Sequence, residues 1–397
     1  MAEPVPGQGP GFPLSPESRW LLSRLRSLSG RDAPSSPPDS LNWELLLTFA
    51  EAHGLAPALG FALRAKAPEA APAEVLERLT RQFTQSVARH LLLSRELNRL
   101  VRLFKAHGVP LIPLKGLVLA EALYPHPALR PISDLDLLIR PEDVLRADGL
   151  LRDSGCRRMA DAHSWSFDIA YDRATFYEGP TFLRVDLHWG LVNDPRYSWD
   201  QREGLTVWER AIPIRVADEE ALGLCPEDLL LYLALHLAIH HAFSGLLWYW
   251  DLALLLDRRG ATLDWEAVIA RASRWRVRNA LFFALLGLEM FFGVSAPASV
   301  MGRVKPRGAR AAVMGWLLNH LELDRLAHLE HLIPLLLVDR SQDLLGAVSR
   351  LLWPPPAWMR ARYAGDASAL PALYLAHYCR LGEVLREAGA GLARRGR

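Results

Sequence analysis

Cysteine and lysine are the scarce residues of this chain. Its three cysteines, Cys156, Cys225 and Cys379, are scattered through 397 residues, with no CxxC pair and no Cys/His ligand spacing. That argues against a disulfide framework and against a structural zinc site. Only four of 46 basic residues are lysines, Lys66, Lys105, Lys115 and Lys305, so a lysine inside a motif stands out. An excess of charge is also missing: the net charge is +2, and no duplex nucleic acid is expected as partner. Long apolar runs are absent as well. The most membrane-like window, 281–300, has Glu289 at its centre and Gly293 and Pro297 in its second half. A buried helix is expected there, with no membrane insertion. No charged segment leads into an apolar one near residue 1, so the expectation is a cytoplasmic chain without a secretory leader.

Half the residues are apolar and 23% are charged, the profile of a globular protein long enough for two or three domains. Residues 1–38 are rich in Pro, Gly and Ser and are expected to be loosely ordered, with one short amphipathic helix in SPESRWLLSRLRSL. Residues 39–107 read as a helical region ending in a long helix closed by Gly108. The period then changes. VPLIPLK (109–115) reads as a strand, GLVLAEALY as a helix, LDLLIR (135–140) as a strand and PEDVLRADGLLRDSG as a helix. SFDIAYDR and TFLRVDLHWGL read as strands around a turn at Glu178–Gly179–Pro180. From 223 to 397 the pattern is helical again. The expected class is α+β, with a small mixed-sheet domain over 108–222 between the two helical regions.

The chemistry concentrates in PISDLDLLIR. Asp134 and Asp136 are two residues apart in a strand and share a face, yet their neighbours are those of a buried strand. Two close carboxylates repel, and in a partly buried site one takes a proton unless a cation intervenes. Mg²⁺ prefers such oxygen ligands together with substrate phosphates. The plain alternative has one Asp capping the loop and the other facing solvent. Two features favour the metal. TFLRVDLHWG places Asp186 in another apolar strand, and if that strand lies beside 135–140 a carboxylate triad forms, suited to one or two ions and an in-line phosphoryl displacement. Lys115–Gly116 sits at a strand-to-helix turn, where Gly lets a backbone approach phosphate and Lys supplies a point charge. Arg130 adds a planar fork for phosphate oxygens. Ser133 and His188, beside these acids, are further phosphate-binding candidates.

Strand, glycine turn, helix, loop, a strand bearing Asp-x-Asp and a later strand bearing a third acid resembles the nucleotidyltransferase fold of the DNA polymerase beta superfamily. More closely, LKG, LYP, Arg130, SDLDLLI and VDLHW are similar to an uncharacterised nucleotidyltransferase family within it. The resemblance implies a nucleotidyltransferase-type domain and a Mg²⁺-dependent transfer of NMP from an NTP, with ATP the expected donor, to an acceptor. By the same resemblance Asp134, Asp136 and Asp186 are the catalytic, metal-binding acids, and Lys115, Gly116, Arg130, Ser133 and His188 hold nucleotide or phosphate. The broader superfamily has Gly-Ser in the turn where this chain has Gly116-Leu117, which moves the phosphate role to Lys115. An alternative reading keeps the fold as a binding module without turnover.

His236 and His240 share a helix face at zinc spacing, so a metal-dependent hydrolase is a third reading. Against it, an HExxH motif needs an acid where this chain has Leu237, and Asp251 is the only nearby extra ligand. Core histidines bonded to neighbours are the expectation, with His240 a candidate to face the cleft. Trp189, Trp248, Tyr249 and Trp250 read as core or as a stacking surface for a base. The arginines of 271–279 read as a solvated helix face.

Overall fold

Local sequence sets the helical frame. The computed structural model describes residues 14–28, 40–66, 70–159, 173–191, 207–320, 332–363 and 369–393, with residues 30, 37, 38, 323, 326 and 329 besides. Helix α1 spans Pro16–Leu28, α2 Trp43–Ala52, α3 Ala56–Lys66 and α4 Ala73–Ala106. Asn42 caps α2 by accepting the Glu44 and Leu45 N–H groups at 3.1 Å. The short helix expected in the first segment is present and is not loose: Trp20, Leu21, Leu22 and Leu25 are buried in the main core.

Helix α4 is the long one, and its apolar positions fall in two groups. Val75 and Leu79 enter the main core. Leu93, Leu97, Leu100, Val101 and Phe104, at helical spacing, enter a second core under the sheet. At 34 residues the helix is about 50 Å long, enough to serve both. Gly108, in the left-handed region at φ +64°, follows its end as expected.

The sheet order is β1 (Ile112–Pro113), β2 (Asp134–Leu138), β5 (Arg184–His188), β4 (Ala174–Glu178) and β3 (Arg157–Arg158). β2 and β5 run parallel and the other neighbours antiparallel, so the sheet is mixed and the fold α+β. Helix α5 (Leu117–Leu123) follows β1, and α6 (Val144–Asp153) leads from β2 towards β3. Alternation decides the two faces. Leu135, Leu137, Val185, Leu187 and Tyr177 bury against α4 and α6, which leaves the even-numbered residues of β2, β4 and β5 on the opposite face. The strand before the 178–180 turn is 174–178; SFDIAYDR, apart from Arg173, lies outside the described residues. The sheet is followed by a hairpin of β6 (Ile212–Val216) and β7 (Glu219–Gly223), whose two turn residues, Ala217 and Asp218, both have positive φ.

The remaining helices are α7 (Pro226–His240), α8 (Leu246–Arg259), α9 (Trp265–Trp275), α10 (Arg278–Phe292), α11 (Ala298–Val304), α12 (Ala309–His320), α13 (Ile333–Leu336), α14 (Ser341–Leu352), α15 (Pro356–Tyr363) and α16 (Leu370–Ala393), of which α7 to α13 bury side chains in the main core. The membrane-like window is α10 and the start of α11, broken at Gly293 and Pro297 and buried on its apolar side. No described helix is long and apolar enough to cross a membrane. Helices on both sides of the sheet region in sequence share the main core, and Ile112, Leu119, Tyr124, Leu129 and Leu138 join it from the sheet side. The face bearing the acids is thereby turned towards α7 and α8.

Candidate active site

Register brings the acids together. In the parallel pair Asp136 stands opposite Asp186 and Leu138 opposite His188. One ligand atom each from Asp136, Asp186 and His188 lie within 4.8 Å of one another. These residues form the floor of a cleft of about 350 Å³, which Asp134 also lines. Asp134 makes no side-chain hydrogen bond or ion pair among the described residues, which leaves its carboxylate open to the cleft.

Asp136 is buried and ion-paired. Its Oδ1 accepts from Lys115 Nζ at 2.8 Å and lies 3.2 Å from His188 Nε2, whereas Oδ2 has no partner. Burial disfavours its charge, but the Lys115 ammonium and His188 outweigh that and hold the carboxyl well below its ordinary range. Asp186 takes Arg184 Nε on Oδ1 at 2.7 Å and Nη2 on Oδ2 at 3.3 Å. Its carboxyl is nonetheless pushed up to about 6, first by burial and then by the neighbouring Asp136 and Asp134 charges against the pull of Arg184. Two carboxylates with opposed shifts, one oxygen without a donor and an imidazole whose Nδ1 is also unpartnered make a donor set that fits a divalent cation.

A pH dependence follows. Asp186's folded pKa lies above its unfolded value, so its cost to stability is absent at low pH, grows as pH rises from about 4 to about 6, and is complete above that. The shift corresponds to roughly 3 kcal/mol. Asp186→Asn is therefore expected to gain stability relative to wild type between pH 4.5 and 7.5, and Mg²⁺ to raise the wild-type melting temperature more at pH 7.5 than at 4.5. Melts showing a pH-independent difference between the two proteins would contradict this account of Asp186.

The glycine turn expected between β1 and α5 is present. Gly116 has φ +55° and ψ −109°, a conformation open to glycine, and an added Cβ would meet Ile132 Cγ2 at 3.2 Å. Helix α5 behind it has seven residues, and one of its first N–H groups, that of Val118, is bonded to the Lys115 carbonyl at 3.1 Å. Ser133 is exposed at the rim, its carbonyl held by Arg89 Nη2. Arg130 departs from expectation. It lines the cleft, but its Nε and Nη2 both bond Asp251 at 2.8 Å, with Tyr124 Oη on the same carboxylate at 2.6 Å. The fork expected for phosphate is occupied by a buried carboxylate.

The opposite wall comes from α7, the residue that ends it and α8: Tyr232, His236, His240, His241, Leu247 and Trp248. His236 and His241 face each other through their Nε2 atoms at 3.1 Å, and His241 stacks on Trp248 with centroids 3.3 Å apart. Burial lowers both imidazoles, helped by neighbouring histidines and by the Lys115 and Arg130 charges, with His241 pushed down to about 3. They are neutral at pH 7, and one donates to the other. Asp251, the extra ligand the zinc reading needed, belongs to Arg130 and Tyr124. Tyr249 and Trp250 are core, as is Trp189 under the sheet. Tyr232 and Arg184 were missed from sequence. Tyr232 Oη has no hydrogen-bond partner among the described residues, and its phenol is driven well up, first by burial and then by Asp136 and Asp134 across the cleft. Arg184 had a signal, since it lies two residues before Asp186 on the same strand face.

A family model described as an uncharacterised nucleotidyltransferase matches residues 39–293, a span that contains every residue lining this cleft. No curated protein and no solved structure gives a significant match.

Proposed function

The chain belongs to the uncharacterised nucleotidyltransferase family, and from that premise we propose that it transfers NMP from an NTP, ATP being the favoured donor, to an acceptor hydroxyl or phosphate in a Mg²⁺-dependent reaction. The observation that supports this best is the parallel register that sets Asp136 beside Asp186 on the floor of a cleft. On this reading Asp134, Asp136 and Asp186 would hold one or two ions, which would neutralise phosphate charge during the displacement. An acceptor oxygen forms a bond to the α-phosphorus, the bridging oxygen–phosphorus bond to the β-phosphate breaks, and pyrophosphate leaves. Asp186, opposite Asp136 on the floor of the cleft, is assigned to receive the acceptor's proton. Lys115 exchanges Asp136 for a phosphate oxygen, and Gly116 gives the phosphates a close approach. Tyr232 supplies a neutral O–H donor from the facing wall.

One observation favours a second reading, a nucleotide- or partner-binding module without turnover: Lys115 and Arg184 already compensate Asp136 and Asp186 within the protein. Incubation with labelled NTPs, Mg²⁺ and a panel of hydroxyl and phosphate acceptors separates the two. Transfer predicts Mg²⁺-dependent pyrophosphate release. Nucleotide binding without release with any donor or acceptor selects the module, and absence of both defeats the site assignment.

A further inference from the structure

A second concavity, of about 370 Å³, lies where the start of α10 meets the end of α11, the 305–308 connection and the segment at Asp339. Five cations line it: Arg278, Arg303, Lys305, Arg307 and Arg310. Two carboxylates oppose them, and neither closes the pocket. The side chain of Asp339 is buried and accepts the Arg278 and Asn279 N–H groups at 3.0 Å, so it caps α10, with Arg278 Nε more distant at 3.7 Å. Glu266 engages Arg303. Arg310 gives one Nη1 donor to the Val338 carbonyl at 2.7 Å. Lys305 and Arg307 have no side-chain partner among the described residues. Five cations against two acids leave three positive charges in one hollow of a chain whose whole net charge is +2.

Like charges held together around a concavity repel, and an anion relieves that repulsion most when it carries several negative charges. Guanidinium forks match phosphate oxygens in pairs, and Lys305 adds a point charge at the rim. The volume falls at the small end of the range for small-molecule sites, roughly 300–1,000 Å³. Pro306, and Gly308 at φ +89°, shape the connection that presents Lys305 and Arg307. Except for Arg278 and Asn279, the lining lies beyond the 39–293 span shared with the family.

We propose that this basic hollow between α10, α11 and the 305–308 connection is a second ligand site, one that takes a multiply charged phosphate group and is separate from the acidic cleft. The phosphate comes either free, as an oligophosphate, or carried on an organic molecule as a monoester. Titration calorimetry of the full chain without divalent cations, using inorganic tripolyphosphate and phenyl phosphate as probes, distinguishes the two sources by which probe binds more tightly. The exposed pair Lys305→Glu/Arg307→Glu, with the milder Lys305→Gln/Arg307→Gln as control for folding, is expected to weaken the tighter probe at least about tenfold. Lys115→Ala, in the acidic cleft, should leave that binding within twofold, so a failure of the transferase assignment would not be confused with a failure here. The proposal is overturned if neither probe binds, if both rim pairs bind as wild type does, or if Lys115→Ala abolishes the binding instead.

Discussion

Asp136→Asn is expected to reduce pyrophosphate release at least about a thousandfold, beyond the usual loss from removing one transition-state donor. Asparagine keeps the shape of the side chain but removes the charge that Lys115 and His188 address, and it puts an N–H₂ where either oxygen stood. The fold should survive, at a cost of roughly 1–3 kcal/mol, because Lys115 is left nearly buried without its counter-charge. The sign of the linkage agrees. Asp136's folded pKa is depressed, so its contribution is present above the unfolded value and is lost as pH falls. Asp134→Asn makes a useful contrast, since its carboxylate has no partner among the described residues: activity should fall steeply with almost no change in melting temperature. Near wild-type turnover in Asp136→Asn, with unchanged dependence on Mg²⁺, would remove the acids from the chemistry.

Much of this site was legible because strands have period two. Asp-x-Asp inside Leu-Leu-Leu-Ile places two acids on one face whatever the rest of the chain does, and VDLHW repeats the device with Asp186 and His188. That the two strands are neighbours is a condition the sequence leaves open, and a register 50 residues apart in sequence meets it. The facing wall was harder to read. Helix α7 is apolar on nearly all sides, so its sequence does not mark the side carrying Tyr232 and His236 as a cleft wall. The same holds for Trp248, set among three further aromatic or apolar neighbours of which Tyr249 and Trp250 are core. Arg130 shows a different limit. A cation in the loop before an acidic motif looks like a phosphate ligand, but its partner Asp251 lies 121 residues later, and no local pattern announces such a pair.

That pair is the basis of the second large effect. Arg130 and Asp251 are both buried, joined by two 2.8 Å bonds, and Tyr124 donates to the same carboxylate. Burial opposes the Arg130 charge, and Asp251 overcomes it, so the guanidinium pKa is raised. Removing one partner leaves the other charge buried without compensation, which costs roughly 3–5 kcal/mol. Asp251→Asn and Arg130→Met should each lower the melting temperature strongly, and the damage should reach the cleft, because the pair ties the 124–130 loop ahead of Asp134 to α8. Replacing the whole set, Tyr124→Phe/Arg130→Leu/Asp251→Leu, leaves no orphaned polar group and should recover most of the stability. The triple variant also decides between two roles for Arg130. If the arginine only pins the loop, nucleotide affinity returns with the fold; if it also grips phosphate, stability returns and affinity does not. A loss below about 1 kcal/mol in Asp251→Asn, the size of an exposed ion pair, would show that the pair is not what fixes this wall of the cleft.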